Sequence, residues 1–140
     1  MKINKDTLNS IYSYFCDTDI EKGGALLMNP KTKLIISFLP LANISSNPKR
    51  EFIFSFDELN LKVNDNINND FEFVGIIHSH RGSNSLSKED IDFFLNLARE
   101  NSYQFLLCPI VLTKKDNKPE IKWWALESNE IKEIEIKAIH

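Results

Sequence analysis

Two segments of the chain carry apolar residues at the i, i+3, i+4, i+7 spacing of an amphipathic helix. The stripe of the first segment consists of Leu8, Ile11, Tyr12 and Phe15. The stripe of the second, within residues 87–101, consists of Ile91, Phe94, Leu95 and Ala98. Residues 57–59 are typical of the start of a further short helix. Each stripe predicts a helix that lies with one face on another layer of the molecule.

Seven short apolar runs between polar or turn-forming stretches predict β-strands. The runs are residues 25–28, 34–38, 51–56, 71–77, 104–112, 121–126 and 131–139. A turn at Asn29 and Pro30 makes the first two a hairpin. Run 71–77 is apolar on both faces, which is typical of a central buried strand. The polar stretches that connect the runs include residues 43–50, 64–70 and 114–120. The pattern predicts an α/β (α+β) fold with about two helices on a mixed sheet.

Composition narrows the class of protein. The sequence has 140 residues, 42% hydrophobic and 26% charged, so we expect a single globular domain over residues 1–140. The net charge of −3 lacks the basic footprint of a nucleic-acid-binding protein. No apolar run approaches the ~20 residues of a membrane span, and the polar start lacks the apolar segment of a signal peptide. We therefore expect a cytoplasmic protein in which Cys16 and Cys108 are reduced, packed thiols.

Two histidines with one residue between them form the most informative motif. His78 and His80 lie at the end of a predicted strand, where residues two apart point to the same side. Asp90 follows after a loop, at the start of the second helix, where it can supply a third ligand. Two histidines and a carboxylate leave an open coordination position, as in catalytic zinc sites. Polar contacts at a strand end explain the histidines equally well, and residues 87–90 also fit a helix capping box with Ser87 as N-cap.

The chain resembles a known family once Glu21 is added to these residues. The segment Glu21-Lys22-Gly23-Gly24-Ala25-Leu26-Leu27, then the His78-Ser79-His80 triplet, then Ser87 and Asp90, resembles the JAMM motif of the MPN or JAB domain. The resemblance covers residues 5–127. It implies an MPN/JAB-like mixed sheet flanked by helices, related to the cytidine deaminase fold.

The resemblance also implies a role for each motif residue. His78, His80 and Asp90 would bind one Zn²⁺ per chain. Glu21 would act as general base and then pass the proton to the leaving amine. Ser87 would donate a hydrogen bond to the oxyanion of the tetrahedral intermediate.

Two features depart from the family pattern. Arg81 stands where the family commonly has proline, and six residues separate His80 from Ser87, one fewer than in the commonest form. Asp90 is still the expected ligand, with Asp92 and then Glu89 as fallbacks. Arg81 either fills the loop or contacts substrate, and we favour the first interpretation.

The resemblance implies a zinc metalloprotease of the JAMM type. Its expected reaction is hydrolysis of the amide after the C-terminal glycine of a ubiquitin or ubiquitin-like protein, either as precursor processing or as deubiquitinase-like deconjugation. Partners would be that protein or its conjugate and E1-like or E2-like enzymes, in systems that include bacterial antiphage defence. Residues 43–50 and 64–70 are candidate substrate contacts. The alternatives are a non-catalytic MPN-type scaffold and a hydrolase of the same fold that acts on another peptide substrate.

Overall fold

The computed structural model describes residues 1–16, 18–66, 70–113 and 118–140. Three helices lie in this part of the chain: α1 (Lys5–Phe15), α2 (Phe56–Asn66) and α3 (Lys88–Asn101). Its strands are β1 (Lys2–Asn4), β2 (Gly23–Asn29), β3 (Leu34–Leu41), β4 (Glu72–His80), β5 (Phe105–Leu107), β6 (Ile110–Leu112), β7 (Glu120–Lys122), β8 (Trp124–Glu127), β9 (Glu130–Glu133) and β10 (Lys137–Ile139).

The strands form one mixed sheet with β4 near its middle. The order of the main path is β10-β1-β3-β2-β4-β5-β8-β9, and β6 continues the far end of β4 before pairing with β7. Strand β4 is antiparallel to β2 and parallel to β5 and β6. Its second half, residues 75–79, is fully buried, as the apolar pattern of run 71–77 predicts.

Both faces of the sheet are covered, so the core consists of two layers. Alternate residues of β2 enter opposite layers, with Ala25 and Leu27 on one face and Leu26 and Met28 on the other. Helix α3 covers the first face through Phe94, and α1 covers the second through Ile11. This two-sided burial explains why residues 25–28 read as a continuous apolar run.

The predicted helices and the central strands are confirmed, with changes at several boundaries. Residues 51–55 belong to no helix or strand, so the strand predicted at 51–56 is wrong. Ile53 O accepts from Ile44 N, and Ile53 N donates to the side-chain oxygen of Asn43. In a sheet, this second partner would be a backbone carbonyl of a neighbouring strand. Strand β1 carries a single buried residue, Ile3, and gave no apolar run from which to predict it.

Three predicted runs differ from the observed strands. Run 104–112 divides into β5 and β6 at Pro109, which has no N–H to donate and whose carbonyl accepts from His78 N at 3.3 Å. Runs 121–126 and 131–139 each divide into two short strands for different sheet neighbours. The predicted connections 64–70 and 114–120 lie partly outside the described residues.

The two cysteines are both reduced, but only one is packed. Cys108 is fully buried, and burial together with the nearby Asp90 carboxylate raises the pKa of its thiol to about 12. Cys16 is exposed at the end of α1, so its predicted packing is wrong. None of the described helices has the length and apolar character needed to cross a bilayer.

Candidate metal centre

Strand β4 delivers two imidazoles to the same point. His78 and His80 lie on one side of the strand end, with their Nε2 atoms 3.1 Å apart. Ser79 between them is fully buried and binds the chain next to Glu21: its Oγ accepts from Lys22 N at 2.9 Å, and its N–H donates to Lys22 O at 2.8 Å. The serine of the motif therefore aligns the Glu21 segment with the two histidines.

Helix α3 brings the carboxylate of Asp90 to the same point from the other side. Asp90 Oδ1 lies 3.2 Å from His78 Nε2, and Oδ2 lies 3.1 Å from His80 Nε2. The three residues each offer one ligand atom, and these atoms lie within 4.8 Å of one another. Asp92, the first fallback, is exposed and lies outside this group, as does Glu89.

The capping box predicted for residues 87–90 is also present. Ser87 Oγ accepts from Asp90 N at 3.0 Å, and Asp90 Oδ2 accepts from Ser87 N at 3.0 Å. The capping interpretation of this motif is confirmed, and it is compatible with Asp90 as a metal ligand. The cap fixes the Asp90 side chain, so that both of its oxygens face the imidazoles.

The electrostatics of the group favour positive charge at its centre. Burial alone would raise the pKa of Asp90, but hydrogen bonds from His78 and His80 hold it well below its usual range. Burial alone would lower the pKa of His80, but Asp90, Glu21 and a hydrogen bond to the Ser83 backbone raise it. A divalent cation bound by the three side chains would supply this positive charge. Two imidazole nitrogens and one carboxylate are a donor set that suits Zn²⁺.

Glu21 lies in the same cavity as the three candidate ligands. It is 7% exposed, and its backbone is held on both sides, since Glu21 N donates to Pro48 O and Glu21 O accepts from Asn43 Nδ2, both at 2.8 Å. Burial raises the pKa of its carboxyl to about 7; His80 opposes the rise, and the carboxylates of Asp90 and Glu51 add to it. The carboxyl therefore exchanges protons near neutral pH.

An aromatic wall forms one side of the cavity, whose volume is about 760 Å³. The rings of Phe52, Phe54, Phe93 and Phe94 close a circuit with the His78 imidazole, with neighbouring centroids 5.2 to 6.3 Å apart. Residue 23 must be small beside this wall, because a Cβ on Gly23 would lie 2.5 Å from the Phe52 ring. The prediction of a strand at 51–56 missed this role; phenylalanine at every second position was the available signal.

The shortened loop between His80 and Ser87 is anchored at two points. Arg81 Nη1 donates to Asp19 O at 3.2 Å, and Trp124 Nε1 donates to Asn84 O at 3.0 Å. The guanidinium of Arg81 thus has a partner in the fold, in agreement with the interpretation of this residue as part of the loop. Of the two candidate substrate loops, 43–50 contributes Arg50 to the cavity, whereas no described residue of 64–70 lines it.

Comparison with known proteins supports the fold. No protein-family model matches the chain, and no curated protein matches it. Solved structures do match. A protein from Desulfitobacterium hafniense is 22% identical, with a TM-score of 0.71, over 99% of this chain and 92% of its own. A protein from Salinibacter ruber is 20% identical, with a TM-score of 0.65 and the same coverages.

The third match carries a family description. It is a JAB1/MPN domain protein from Archaeoglobus fulgidus, 17% identical with a TM-score of 0.57, over 99% of this chain and 97% of its own. The predicted MPN/JAB-like mixed sheet with flanking helices is thereby confirmed.

Proposed function

We propose that this protein, whose fold is that of the JAB1/MPN domain, is a zinc-dependent peptidase or isopeptidase. Its proposed reaction is hydrolysis of the amide after the C-terminal glycine of a ubiquitin-like protein. The observation that carries the proposal is the convergence of His78, His80 and Asp90 in a cavity that Glu21 also lines. Three ligands from the protein with a buried carboxyl beside them are what metal-assisted amide hydrolysis requires.

The proposed chemistry divides between the ion and the chain. A zinc ion held by His78, His80 and Asp90 would polarise the scissile carbonyl and make water acidic enough to ionise near neutral pH. Glu21 accepts a proton from the attacking water and returns it to the leaving nitrogen; burial, which raises the pKa of its carboxyl in the metal-free chain, favours the protonated form that this transfer needs.

In the proposed mechanism Ser87 stabilises the oxyanion. Its Oγ accepts from Asp90 N as part of the cap, which leaves the hydroxyl hydrogen able to donate to another group. The residue lines the cavity on the α3 side. A hydrogen bond to the developing negative charge in such a site is worth roughly 3 kcal/mol.

The backbone of segment 51–55 supports the proposal that the substrate enters as an extended chain. The backbone groups of Glu51 and Ile53 bond to the 43–47 loop. Phe52 and Phe54 alternate with them, and their backbone groups make no hydrogen bond within the described part of the chain. A peptide tail that adds a strand at this edge would satisfy those groups. A tail of glycines approaches such an edge closely because it has no side chains.

The biological setting of the proposal comes from the resemblance alone. It comprises a ubiquitin-like substrate or conjugate, E1-like or E2-like partner enzymes, and antiphage defence as one context. Precursor processing and deconjugation are both compatible with the proposed chemistry.

The experiment that tests the proposal joins metal content to cleavage. Elemental analysis of the purified protein should find about one zinc per chain, and Asp90→Ala should lose it. The zinc-loaded protein is then incubated with ubiquitin-like proteins extended beyond their C-terminal glycine and, separately, with short peptides. Glu21→Gln should keep zinc and lose cleavage by at least about 100-fold. Glu89→Gln makes the same chemical change in the same cavity and should cleave normally.

Each of the other outcomes would support a different function for this protein. If the protein contains no zinc after reconstitution, the interpretation as a non-catalytic scaffold would replace the proposed function. Zinc with cleavage of unrelated peptides only would indicate a hydrolase of another substrate class. Retained cleavage in Glu21→Gln would remove Glu21 from the mechanism.

A further inference from the structure

The cavity beside the metal centre holds a cation that the proposed chemistry does not use. Arg50 is the only lysine or arginine among the described residues that line it. Its guanidinium makes no ion pair with a described carboxylate, although Glu51 and Glu89 line the same cavity. Arg81, by contrast, is engaged with the Asp19 carbonyl. A guanidinium left without a partner beside a reaction centre is suited to an anionic group of the substrate.

The turn that carries Arg50 is fastened to Glu21. Arg50 N and Glu51 N both donate to Asn47 O, at 3.0 and 3.1 Å, which closes the turn. Asn43 Nδ2 donates to Glu21 O at 2.8 Å and to Glu51 O at 2.9 Å, so one amide group bridges the two segments. The backbone of Arg50 is therefore held on the Glu21 side of the cavity, and its exposed side chain lines that cavity.

In the proposed reaction the leaving group occupies this side of the cavity. In the proposed reaction Glu21 passes its proton to the leaving nitrogen, so that nitrogen must lie beside the Glu21 carboxyl. Arg50 then lines the part of the cavity that would receive the atoms attached to the leaving nitrogen. Glu51, next in sequence, also lines the cavity, and its Oε1 is fixed by the Ser45 hydroxyl at 2.6 Å. One positive and one negative side chain, adjacent in sequence, thus line the cavity on the side that the proposed reaction assigns to the released amine.

We propose that the leaving group is an α-amino acid with a free carboxylate, which Arg50 binds. The inference rests on the proposed function and names its substrate class: an acyl chain whose last residue is removed. Water oxygen bonds to the scissile carbonyl carbon and the carbon–nitrogen bond breaks. The acyl part leaves as a carboxylate, and the nitrogen takes both protons of the water, one carried by Glu21 and the second released by the new carboxyl group. The product is a zwitterion, whose carboxylate pairs with Arg50 and whose ammonium faces Glu51.

The test compares two peptides that differ in one group. Acetyl-Gly-Gly-Ala with a free carboxylate and the same peptide as its carboxamide are bound to zinc-loaded Glu21→Gln protein, measured by calorimetry, and offered to the zinc-loaded wild type for cleavage. The carboxylate should bind about 10- to 100-fold more tightly and be cleaved preferentially. Arg50→Gln should abolish the preference, and Arg50→Lys should keep part of it because the charge remains without the fork.

The matched control is Lys49→Gln, which removes the same charge from an exposed neighbour that does not line the cavity. It should keep the full preference. Equal binding of the two peptides, or binding of neither, overturns the inference. A carboxylate preference in binding that depends on Arg50, without cleavage by the wild type, would support the inference while the proposed hydrolysis fails.

Discussion

At the scale of single residues, the site depends on side chains that each carry two duties. Asp90 caps α3 and meets both imidazoles, so its placement is decided by local helix chemistry. Ser79 does not line the cavity, but its hydroxyl and its N–H both bond to the backbone of Lys22. Glu21 is a buried carboxyl, and its burial is the main reason for its raised pKa. That burial also has a cost for the metal-free protein.

We expect metal-free protein to lose stability as pH rises from about 4.5 to 7, partly because of Glu21. The folded state keeps a proton on this carboxyl up to a pKa of about 7, whereas the unfolded chain releases it near the ordinary value of 4.5. Between these pH values the unfolded state binds fewer protons, so a rise in pH favours unfolding. Glu21→Gln should remove this contribution, at most about 3 kcal/mol.

Urea unfolding of chelator-treated protein at pH 5 and pH 8 measures this difference. Wild type minus Glu21→Gln gives the contribution of Glu21 together with its effect on His80, whose pKa Glu21 raises. The exposed Glu89→Gln should keep the slope of the wild type. Identical pH slopes in wild type and Glu21→Gln would contradict the assignment.

Residue spacing predicted the group of three candidate ligands but not the cavity around it. His78 and His80 are neighbours on a strand and Asp90 follows within one loop, so short-range geometry determines their meeting. The aromatic wall joins residues 52–56 to α3, and the Arg50 turn meets Glu21 from a distant part of the sequence. Such long-range packing leaves no period in a single sequence.

At the scale of elements, the loop from β4 to α3 determines whether Asp90 of α3 meets His78 and His80 of β4. It is short, and Trp124 of β8 holds its middle through the bond from Nε1 to Asn84 O. The Trp124 ring packs on the core layer that also contains Phe94 of α3. Strand β8 is therefore a support for the site, although it contributes no candidate ligand.

Trp124→Phe should keep the ring in the core and lose the donor. Asn84 O would then lack its partner, and the loop would hold Asp90 less firmly. We expect metal affinity to fall by about 10-fold, as for other groups that orient ligands, with a stability loss of about 1 kcal/mol. Competition titration with a zinc indicator measures the affinity. Trp123→Phe, whose ring packs on the opposite layer, is the control and should bind zinc as the wild type does.

Strand boundaries could be predicted where an apolar run corresponds to a single strand that is covered on both faces. Run 25–28 and run 71–77 became β2 and β4 because both faces of each strand are covered. Run 104–112 is equally apolar, but Pro109 ends one ladder and the chain resumes in β6 against other partners. Apolar character alone does not reveal which neighbour each half of a run will pair with.

At the scale of the whole molecule, a bound ion would join parts that the chain keeps separate. His78 and His80 belong to the centre of the sheet, and Asp90 belongs to the helix layer. An ion bound by all three would connect these layers in the folded state only. Stability then depends on ligand concentration.

We expect zinc to raise the unfolding temperature of the chelator-treated protein. At free zinc about 1,000 times its Kd, the gain should be about 4 kcal/mol. Asp90→Ala should lose most of this gain, and magnesium should give little because it prefers oxygen ligands. Thermal unfolding with and without each ion is the measurement. An equal rise in Asp90→Ala would show that zinc acts elsewhere on the protein.

The edge of the sheet has a consequence for synthesis. Residues Lys2, Ile3 and Asn4 pair in parallel with Lys137, Ala138 and Ile139, across almost the whole sequence. A ribosome releases β1 early, and β3 can join it on one side soon afterwards. Its other side stays without a partner until translation of β10 is finished. The nascent chain therefore exposes the edge of β1, a risk for association with neighbouring chains, until β10 emerges.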